Sequence, residues 1–567
     1  MGLVFVIHKY KRRKYYIMKI YTFLLVILLS ACSKSSNDGP QTEPVHRPIL
    51  EYIVIDNNTL IHEQIGVSVK PVIHLKFNHP IKVSTISAAI SLKDGTGNTI
   101  PLQTMTLNSD SVIFVTPSQS LLYLTKYNLR VETTLQSASN GNLATVIERS
   151  FSTTIDSTRK FPTISNDALL TKVQQQTFKY FWDFAHPVSG LARERNTSGE
   201  TVTSGGSGFG IMSIPVGVER GFITRAEGLA RMQKIVGFLK NNVVKVKGAF
   251  SHWINGTTGA IVPFSANDNG ADIVETSFLM MGLLTARQYF DGTGVEATLR
   301  TDINTLYHNV EWDWFRRGGQ NVLYWHYSPD KEWALNLPIS GWNEALMTYV
   351  LAAASPTHGI PKIVYDNGWT RNGNMSNGAS YYGHTLPIGP ELGGPLFLSQ
   401  YSFLGIKPIG LSDGFANYET YAKNHTLINY EYCKANPKNY YGYSDSVWGL
   451  TASDIPNGYT ASSPTNDVGV IAPTAALSAF PYAPEKAMAA LHFYYYVLGD
   501  KLWKDYGFVD AFSLHQPWFA TSHIAIDQGP IILMIENYRT GLLWNLFTSC
   551  PEVKTAMRTL GFTAPYL

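Results

Sequence analysis

Cysteine is scarce in this sequence, which has Cys32, Cys433 and Cys550 among 567 residues. A disulfide framework therefore does not hold the protein together, although one bridge is possible. No Cys/His pair stands at zinc-ligand spacing, and no Asp-rich loop followed by Glu has the spacing of a calcium hand. We predict that the protein needs no metal and no other cofactor.

Charged side chains are also few, at 15% of the chain, while hydrophobic residues make up 44%. This balance, with glycine and proline spread along the chain, excludes disorder and collagen-like structure. The formal net charge is +3, but residues 1–31 hold six basic residues and no acid, which leaves the remainder at −3. A mildly acidic body argues against nucleic acid as a partner.

The apolar run at residues 20–31 has 12 residues and follows a basic stretch. This pattern is typical of a signal peptide, and the run is too short to span a membrane. It ends in Leu29-Ser30-Ala31-Cys32, which resembles the lipobox of bacterial lipoproteins, although a cysteine can also follow a signal sequence by chance. Met18 is an alternative translation start, and a chain that begins there keeps the same signal sequence. We predict a signal peptide over residues 1–31, a lipid on Cys32, a polar tether over 32–47, and a cell-envelope location at the outer membrane, on its periplasmic or surface face.

The sequence pattern of residues 48–158 predicts a β-sandwich. Short β-branched runs alternate at period two and are separated by turns such as Asp94-Gly95 and Asn140-Gly141. The segment resembles the bacterial Ig-like modules of secreted enzymes. We predict a stalk or accessory domain, with carbohydrate binding as the weaker alternative.

From residue 163 to 567 the apolar residues recur at helical spacing. Long connections rich in glycine and aromatics, such as 204–210 and 373–394, are expected between the helices, whereas a bundle would need shorter loops. The pattern fits an all-α domain, an (α/α)6 toroid with two rings of helices and a groove lined by loops on one face. Seven helices are predicted at 169–182, 226–244, 274–290, 342–354, 418–432, 485–498 and 531–547.

The predicted connections carry aromatic rings beside amides and acids, as in residues 311–317, 324–327, 440–445 and 515–518. Flat rings stack on the C–H faces of sugars, while planar amides and carboxylates bind the hydroxyl groups around their edges. This combination favours a carbohydrate groove, although rings inside helices, such as Tyr494 to Tyr496, are expected to be core. The glycine-rich stretch 204–210 lacks the Lys-Ser or Lys-Thr of a phosphate cradle, so nucleotide binding is not expected.

Acids at two predicted helix starts are the sharper signal. Asp268, Asp272 and Glu275 stand at i, i+4 and i+7 and would share one face of a helix that began early enough. Asp272 and Glu275 also fit a capping box, which would give them a purely structural role. Glu344 is expected in the first turn of another helix, behind Trp342 and Asn343. Two such helix starts facing one groove would supply an acid and a base.

Several motifs, in order over about residues 165 to 565, resemble the bacterial β-1,2-glucanases of glycoside hydrolase family 144. They are the block 268–275, Trp325-His-Tyr-Ser-Pro329, Gly341-Trp-Asn-Glu344, Glu391-Leu-Gly-Gly-Pro395, Ile526-Asp-Gln-Gly-Pro530 and Ile535-Glu-Asn-Tyr-Arg539. The resemblance implies an (α/α)6 toroid, hydrolysis of linear β-1,2-glucan to sophorose and short sophoro-oligosaccharides with inversion, and no metal. It implies catalytic roles for Asp268, Asp272, Glu275 and Glu344. The candidate substrate-binding residues are Trp325, His326, Tyr327, Trp342, Asn343, Glu391, Trp518, Asp527 and Gln528.

The mechanism stays open at this stage. Inverting hydrolysis needs two carboxyl groups about 6.5 to 9.5 Å apart, whereas positions i and i+3 of one helix are only about 5 to 6 Å apart at Cβ. We therefore predict Glu344 as the proton donor and a base from the group of Asp268, Asp272 and Glu275. The opposite assignment, or Asp445 or Asp527 acting as the base through a chain of water molecules, is the alternative.

Three other functions compete with this hypothesis. They are a glycosidase for another linkage, a toroid polysaccharide lyase using residues such as His326 and Tyr327, and a non-catalytic glycan-binding lipoprotein. Endo or exo action depends on whether loops close one end of the groove. We expect a monomer whose partners are a β-glucan and, through the lipid, a membrane.

Overall fold

The computed structural model describes residues 44–567. The predicted signal peptide, the lipidation site Cys32 and most of the predicted tether lie outside the described residues.

The N-terminal domain is a sandwich of two five-stranded sheets. Their strand orders are β2-β1-β4-β8-β7 and β3-β10-β9-β5-β6, with β3 and β10 parallel and the other neighbours antiparallel. Ile73, Leu75 and Phe77 of β4 are buried between the sheets, because side chains alternate between the two faces of a strand. The predicted Ig-like sandwich is confirmed. Its strands are β1 Leu50–Ile55, β2 Asn58–Thr59, β3 Glu63–Val67, β4 Ile73–Phe77, β5 Ile90–Asp94, β6 Thr99–Ile100, β7 Leu102–Leu107, β8 Val112–Pro117, β9 Lys126–Val131 and β10 Ile147–Thr153. A short helix, Ile86–Ala89, precedes β5.

The second domain is the predicted (α/α)6 toroid, in which nearly fully buried helices alternate with helices that keep one exposed face. Helices α2, α4, α6, α8 and α10 belong to the inner ring, where α2 packs against both α4 and α10. Short 3-10 turns, Leu396–Ser399 and Ser402–Leu404, form the part of this ring between α6 and α8. The α-helices of five or more residues are α1 Asn166–Trp182, α2 Ser204–Glu219, α3 Arg225–Asn241, α4 Ile273–Tyr289, α5 Val295–His308, α6 Leu346–Ala354, α7 Tyr418–Ala435, α8 Pro473–Leu477, α9 Pro484–His492, α10 Ala525–Arg539, α11 Leu542–Thr548 and α12 Pro551–Leu560.

Short strands and turns connect these helices. The strands are β11 Thr201–Thr203, β12 Trp253–Asn255, β13 Ile261–Val262, β14 Ala271–Asp272, β15 Leu323–Tyr324, β16 His326–Tyr327, β17 Pro338–Ile339, β18 Ser380–Tyr381, β19 His384–Thr385, β20 Ala452–Ile455, β21 Gly458–Ala461, β22 Trp503–Lys504, β23 Gly507–Phe508, β24 Phe512–Ser513 and β25 Trp518–Phe519. β14 pairs with β16, which brings Asp272 opposite His326.

The glycine-rich stretch 204–210 is not the predicted connection but the first half of the buried helix α2. Its glycines are there for packing: a Cβ at Gly208 would lie 2.1 Å from the carbonyl oxygen of Phe278 on α4, and one at Gly282 would lie 2.2 Å from that of Gly208. Glycine lowers helix propensity, so composition predicted a loop. The close approach of two inner helices outweighs that propensity.

Other predicted helices have different bounds in the structure. Helix α6 begins at Leu346, so Glu344 lies in the turn just before it and not in its first turn. The predicted helix 531–547 is two helices, because Gly541 with φ of 71° separates α10 from α11. Tyr494 to Tyr496 are buried in the core as predicted, in a π-helical segment that follows α9.

The two domains touch through Tyr441 of the toroid. Its hydroxyl and that of Thr154 are 3.0 Å apart, and a Cβ at Gly66 would lie 2.8 Å from its ring. Within residues 44–567, Cys433 and Cys550 are buried free thiols. In the same range we find no helix with both the length and the apolar character that crossing a membrane requires.

Candidate active site

A cavity of about 480 Å³ opens at one end of the inner ring. The N-cap of α2, the first turn of α4, the turn before α6 and the β20–β21 hairpin all contribute to its wall. Two of the predicted acids, Glu275 and Glu344, line it together. Its other lining residues are Glu194, Arg195, Thr203, His252, Trp253, Phe264, Phe397, Tyr401, Ala452, Tyr459, Ala461, Ile524 and Ile526.

Asp272 is the N-cap of α4. Its Oδ1 accepts hydrogen bonds from the backbone N–H groups of Val274 and Glu275, both at 2.9 Å. Its Oδ2 lies 3.3 Å from Nδ1 of His252 and 3.4 Å from Nε2 of His326. Both carboxylate oxygens are therefore occupied, and the side chain is only 1% exposed.

The imidazoles of His252 and His326 contact the carboxylates of Asp268 and Asp272, and these four side chains form an acid cluster. Nε2 of His326 also lies 3.3 Å from Oδ2 of Asp268, so this ring bridges Asp268 and Asp272. Burial alone would lower the pKa of His252, but the charge of Glu275 and the contact with Asp272 raise it to about 9. Burial opposes ionisation of Asp272, yet the hydrogen bond from His252 and the charge of His326 hold its pKa below the usual range. Burial and the charge of Asp272 raise the pKa of Asp268 to about 6.

Glu275 does not complete the capping box that the sequence also allowed. Its Oε2 accepts a hydrogen bond at 2.9 Å from the backbone N–H of Gly205 in the first turn of α2, while the N–H of Asp272 donates to the carbonyl of Phe250. Burial raises the pKa of Glu275, and the nearby charge of His252 opposes this rise. Glu275 is thus held between two inner helices with its carboxylate at the cavity.

Glu344 lies at the same cavity, in the turn before α6. Asn343 accepts a hydrogen bond at 2.9 Å from the N–H of Ala345, and Ser402 donates one to the carbonyl of Glu344. Burial raises the pKa of the Glu344 carboxyl to about 7, with smaller contributions from the charges of Glu275 and Asp272. Such a carboxyl can carry a proton at neutral pH, as a general acid must.

A second charged cluster borders the cavity. Arg195 contacts Glu194 at 2.9 Å and both carboxylate oxygens of Asp454 at 3.2 Å. Asp510 accepts a hydrogen bond at 2.6 Å from the backbone N–H of Asp454. Burial and the charge of Asp510 raise the pKa of the neighbouring Asp527 well above its usual range.

Sequence reasoning missed several of these groups. They are Glu194, Arg195, His252, Asp454 and Asp510. Two signals were available in the sequence. Arg193-Glu194-Arg195 is a run of charges in a chain that has few, and Ser251-His252-Trp253 repeats the His and Trp pairing of Trp325-His326. Their convergence comes from loops that are far apart in sequence.

The predicted substrate-binding residues are distributed more widely than expected. His326 joins the acid cluster, and Trp325 stacks on its ring at 5.6 Å. Tyr327 packs edge-on against Trp314 at 4.6 Å. Trp342 is 8% exposed, and its indole N–H donates to the hydroxyl of Tyr421 at 2.6 Å. Tyr327 and Trp342 therefore pack with other aromatic side chains, and neither lines the cavity.

The remaining candidates lie elsewhere. Glu391 and Asp445 are exposed, and neither lines the cavity. Asp527 and Gln528 are buried at the start of α10, at 1% exposure each, and the Gln528 amide donates to the carbonyl of Phe508. Trp518 lines a neighbouring cavity. The roles of all these residues stay predictions.

His252, Asp268 and Asp272 are the one group within the described residues whose ligand atoms could hold a metal ion, since one donor atom from each lies within 4.8 Å of the others. Metal ligation needs an unprotonated imidazole. The raised pKa of His252 keeps that ring protonated at neutral pH. The donor set therefore fits a hydrogen-bonded ion cluster better than a metal site.

Comparison with known proteins gives the following matches. Residues 336–551 match the family described as "Putative glucoamylase", and residues 52–153 match the bacterial Ig-like domain family. An endo-β-1,2-glucanase from Chitinophaga pinensis, solved with sophorotriose and glucose, is 50% identical over 71% of this chain and 100% of that one, with a TM-score of 0.70. A β-1,2-glucanase structure from Parabacteroides distasonis is 36% identical over 92% of this chain and 73% of that one, with a TM-score of 0.69.

A curated relative from Parabacteroides distasonis is described as an exo β-1,2-glucooligosaccharide sophorohydrolase acting at the non-reducing end. It is 45% identical over 421 residues, which are 70% of this chain. The chain spans 58% of the length of that relative.

Proposed function

Because the chain belongs to the glucoamylase-like family of β-1,2-glucan hydrolases, glycoside hydrolase family 144, we propose that it hydrolyses linear β-1,2-glucan to sophorose and short sophoro-oligosaccharides. The observation that carries the proposal is that Glu275 and Glu344, from two different inner-ring positions, line one cavity. The similarity to a glucanase solved with sophorotriose supports the choice of substrate.

Glu344 is the proton donor in this proposal. Its carboxyl pKa, raised to about 7 by burial and by the negative charges of Glu275 and Asp272, keeps a proton available for the leaving glycosidic oxygen. As Glu344 gives this proton to the leaving oxygen, Glu275 takes one from the attacking water, so the new negative charge on Glu344 faces the remaining charge of Asp272. The same repulsion favours proton return from water after product release.

Glu275 is the base in this proposal. Asp272 has both oxygens bound by protein groups, and Asp268 is 4% exposed with one oxygen beside His326. Glu275 has one oxygen fixed by Gly205 and lies at the cavity, where it can take a proton from an attacking water molecule. Water attack opposite the leaving group gives inversion at the anomeric carbon. Amide variants of Glu275 and Asp527 distinguish these two candidate bases.

Product analysis tests the reaction. A soluble protein that comprises residues 33–567 is incubated with linear β-1,2-glucan and, in parallel, with β-1,3-, β-1,4- and α-1,4-glucans. The products are separated by chromatography. Sophorose or short β-1,2-oligosaccharides from the first substrate alone are expected, with inverted anomers by NMR. Glu344→Gln and Glu275→Gln should each lose most activity. Loss in Asp527→Asn with retention in Glu275→Gln would assign the base to Asp527, and cleavage of another glucan alone would overturn the linkage.

We also propose that the protein is a lipoprotein, anchored through Cys32 to the outer membrane. The support is the sequence pattern of residues 20–32 alone. Mass spectrometry of the mature N-terminus would detect the acyl chains. A Cys32→Ala variant should lack them, and an unacylated wild-type protein would overturn the anchor.

A further inference from the structure

A second cavity, of about 570 Å³, adjoins the active-site cavity and shares Arg195 and Tyr459 with it. It lies between the β20–β21 hairpin and the segment from Trp518 to Ser522. Its volume is within the roughly 300–1,000 Å³ typical of small-ligand sites. Arg195 and Tyr459 thus form a wall common to the two cavities.

The chemistry of this second cavity suits a sugar. Trp518 is half-buried at one side, and Tyr459 is 48% exposed where the two cavities meet. Asp454 lines the same cavity and is fixed by Arg195 and by a hydrogen bond from Ser522. Aromatic rings and preoriented charged groups are the combination that binds pyranose faces and hydroxyl groups.

Arg195 is preorganised and still has donors to offer. Its Nε and Nη1 bind Glu194 and Asp454, whereas Nη2 makes no hydrogen bond within residues 44–567. The guanidinium group has five N–H donors in a rigid plane, so its orientation is set before any ligand arrives. A hydroxyl-rich ligand that passes from one cavity to the other would meet these remaining donors.

We propose that the second cavity is a distal glucan subsite, which binds glucosyl units of the chain away from the bond being cleaved, with Trp518 as its stacking platform. This inference rests on the proposed function, since the same β-1,2-glucan chain would occupy both cavities. Remote units add to substrate binding, and so raise kcat/KM, only when the substrate is long enough to reach the second cavity. The subsite therefore makes catalysis depend on chain length.

Hydrolysis kinetics with sophoro-oligosaccharides of increasing length test the subsite. In the wild-type enzyme kcat/KM should rise with length until the second cavity is filled. Trp518→Ala should lower the ratio of kcat/KM on long substrates to kcat/KM on short ones roughly tenfold, which corresponds to about 1.4 kcal/mol. The change should come mainly from a higher KM for the long substrates. Trp518→Phe should retain most of the ratio because it keeps an aromatic face. Tyr538→Ala, which removes a 45% exposed ring of α10 that lines neither cavity, is the control.

An equal loss at all substrate lengths, or no loss at any length, would overturn the subsite. Calorimetric binding of long and short oligosaccharides to Glu344→Gln, with and without Trp518→Ala, separates this result from failure of the proposed function. If the wild type does not hydrolyse the glucan but long chains bind in a manner that depends on Trp518, the proposed function is overturned and the subsite is kept. Absence of both hydrolysis and binding would overturn both.

Discussion

The carboxylate of Glu275 accepts a hydrogen bond from the backbone N–H of Gly205 at 2.9 Å, and a Cβ at residue 205 would lie 2.2 Å from the same oxygen. Glycine is thus required for Glu275 to adopt its position. A residue in the first turn of α2 fixes an acid on α4, although the two are 70 positions apart in the chain.

Gly205→Ala should displace Glu275 and lower kcat by about 100-fold, because a misplacement of about 1 Å can have that effect. The measurement is steady-state hydrolysis of β-1,2-glucan. Gly237→Ala on α3 is the matched control, since its Cβ would meet nothing within 4 Å. It should keep full activity and gain about 0.5–1 kcal/mol of stability. Equal activity in the two variants would show that the position of Glu275 is not needed.

The pH dependence of the wild-type enzyme should report Glu344. Burial, followed by the charges of Glu275 and Asp272, raises its pKa to about 7. A general acid must be protonated, so kcat/KM should fall tenfold per pH unit above that value. Residual activity of Glu344→Gln should lack this descending limb. A wild-type profile that stays level to pH 9 would contradict the role of Glu344.

His252 should make stability depend on pH. Its folded pKa of about 9 lies above the ordinary value of 6.5. The folded state therefore binds the proton more tightly, and the stabilisation is present below pH 6.5 and is lost as pH rises through about 9. Urea denaturation of wild type and His252→Gln at pH 6 and above pH 9 measures the difference in unfolding free energy. The wild-type advantage should shrink with rising pH, and a constant or growing advantage would refute this linkage.

Removal of metal should leave the activity unchanged. The charge of Glu275 and the contact with Asp272 raise the pKa of His252 to about 9, so a cation would have to displace a proton from this ring. Dialysis against EDTA followed by the glucanase assay checks this expectation. A loss of activity that added metal restores would instead make His252, Asp268 and Asp272 a metal site.

Tyr441→Ala should weaken the contact between the two domains. The variant removes the contact with the Thr154 hydroxyl and the ring that covers Gly66. Scanning calorimetry should then show the sandwich unfolding at a lower temperature and apart from the toroid. Tyr52→Ala, which removes a 47% exposed ring of β1, is the control and should leave the transitions of the wild type unchanged. Identical calorimetric traces for all three proteins would mean that this contact does not couple the domains.

Local patterns determined much of this protein. Alternation at period two in residues such as Ile73, Leu75 and Phe77 dictates the sandwich. The apolar spacing of the helical region dictates its helices in the same way, because a buried stripe must find a partner. The acids Asp272, Glu275 and Glu344 were visible as motifs beside glycine, asparagine and aromatics.

Tertiary structure alone decided the rest. Composition indicates a loop at 204–210, and only the packing of Gly208 against Gly282 makes it a helix. Spacing cannot distinguish an acid that caps a helix from one that faces a cavity, and here Asp272 does the first and Glu275 the second. His252 and Arg195 reach the site from distant loops, so no local pattern could place them there. Burial and the summed field of these converging charges set the pKa values of the acids, and both exist only once the chain has folded.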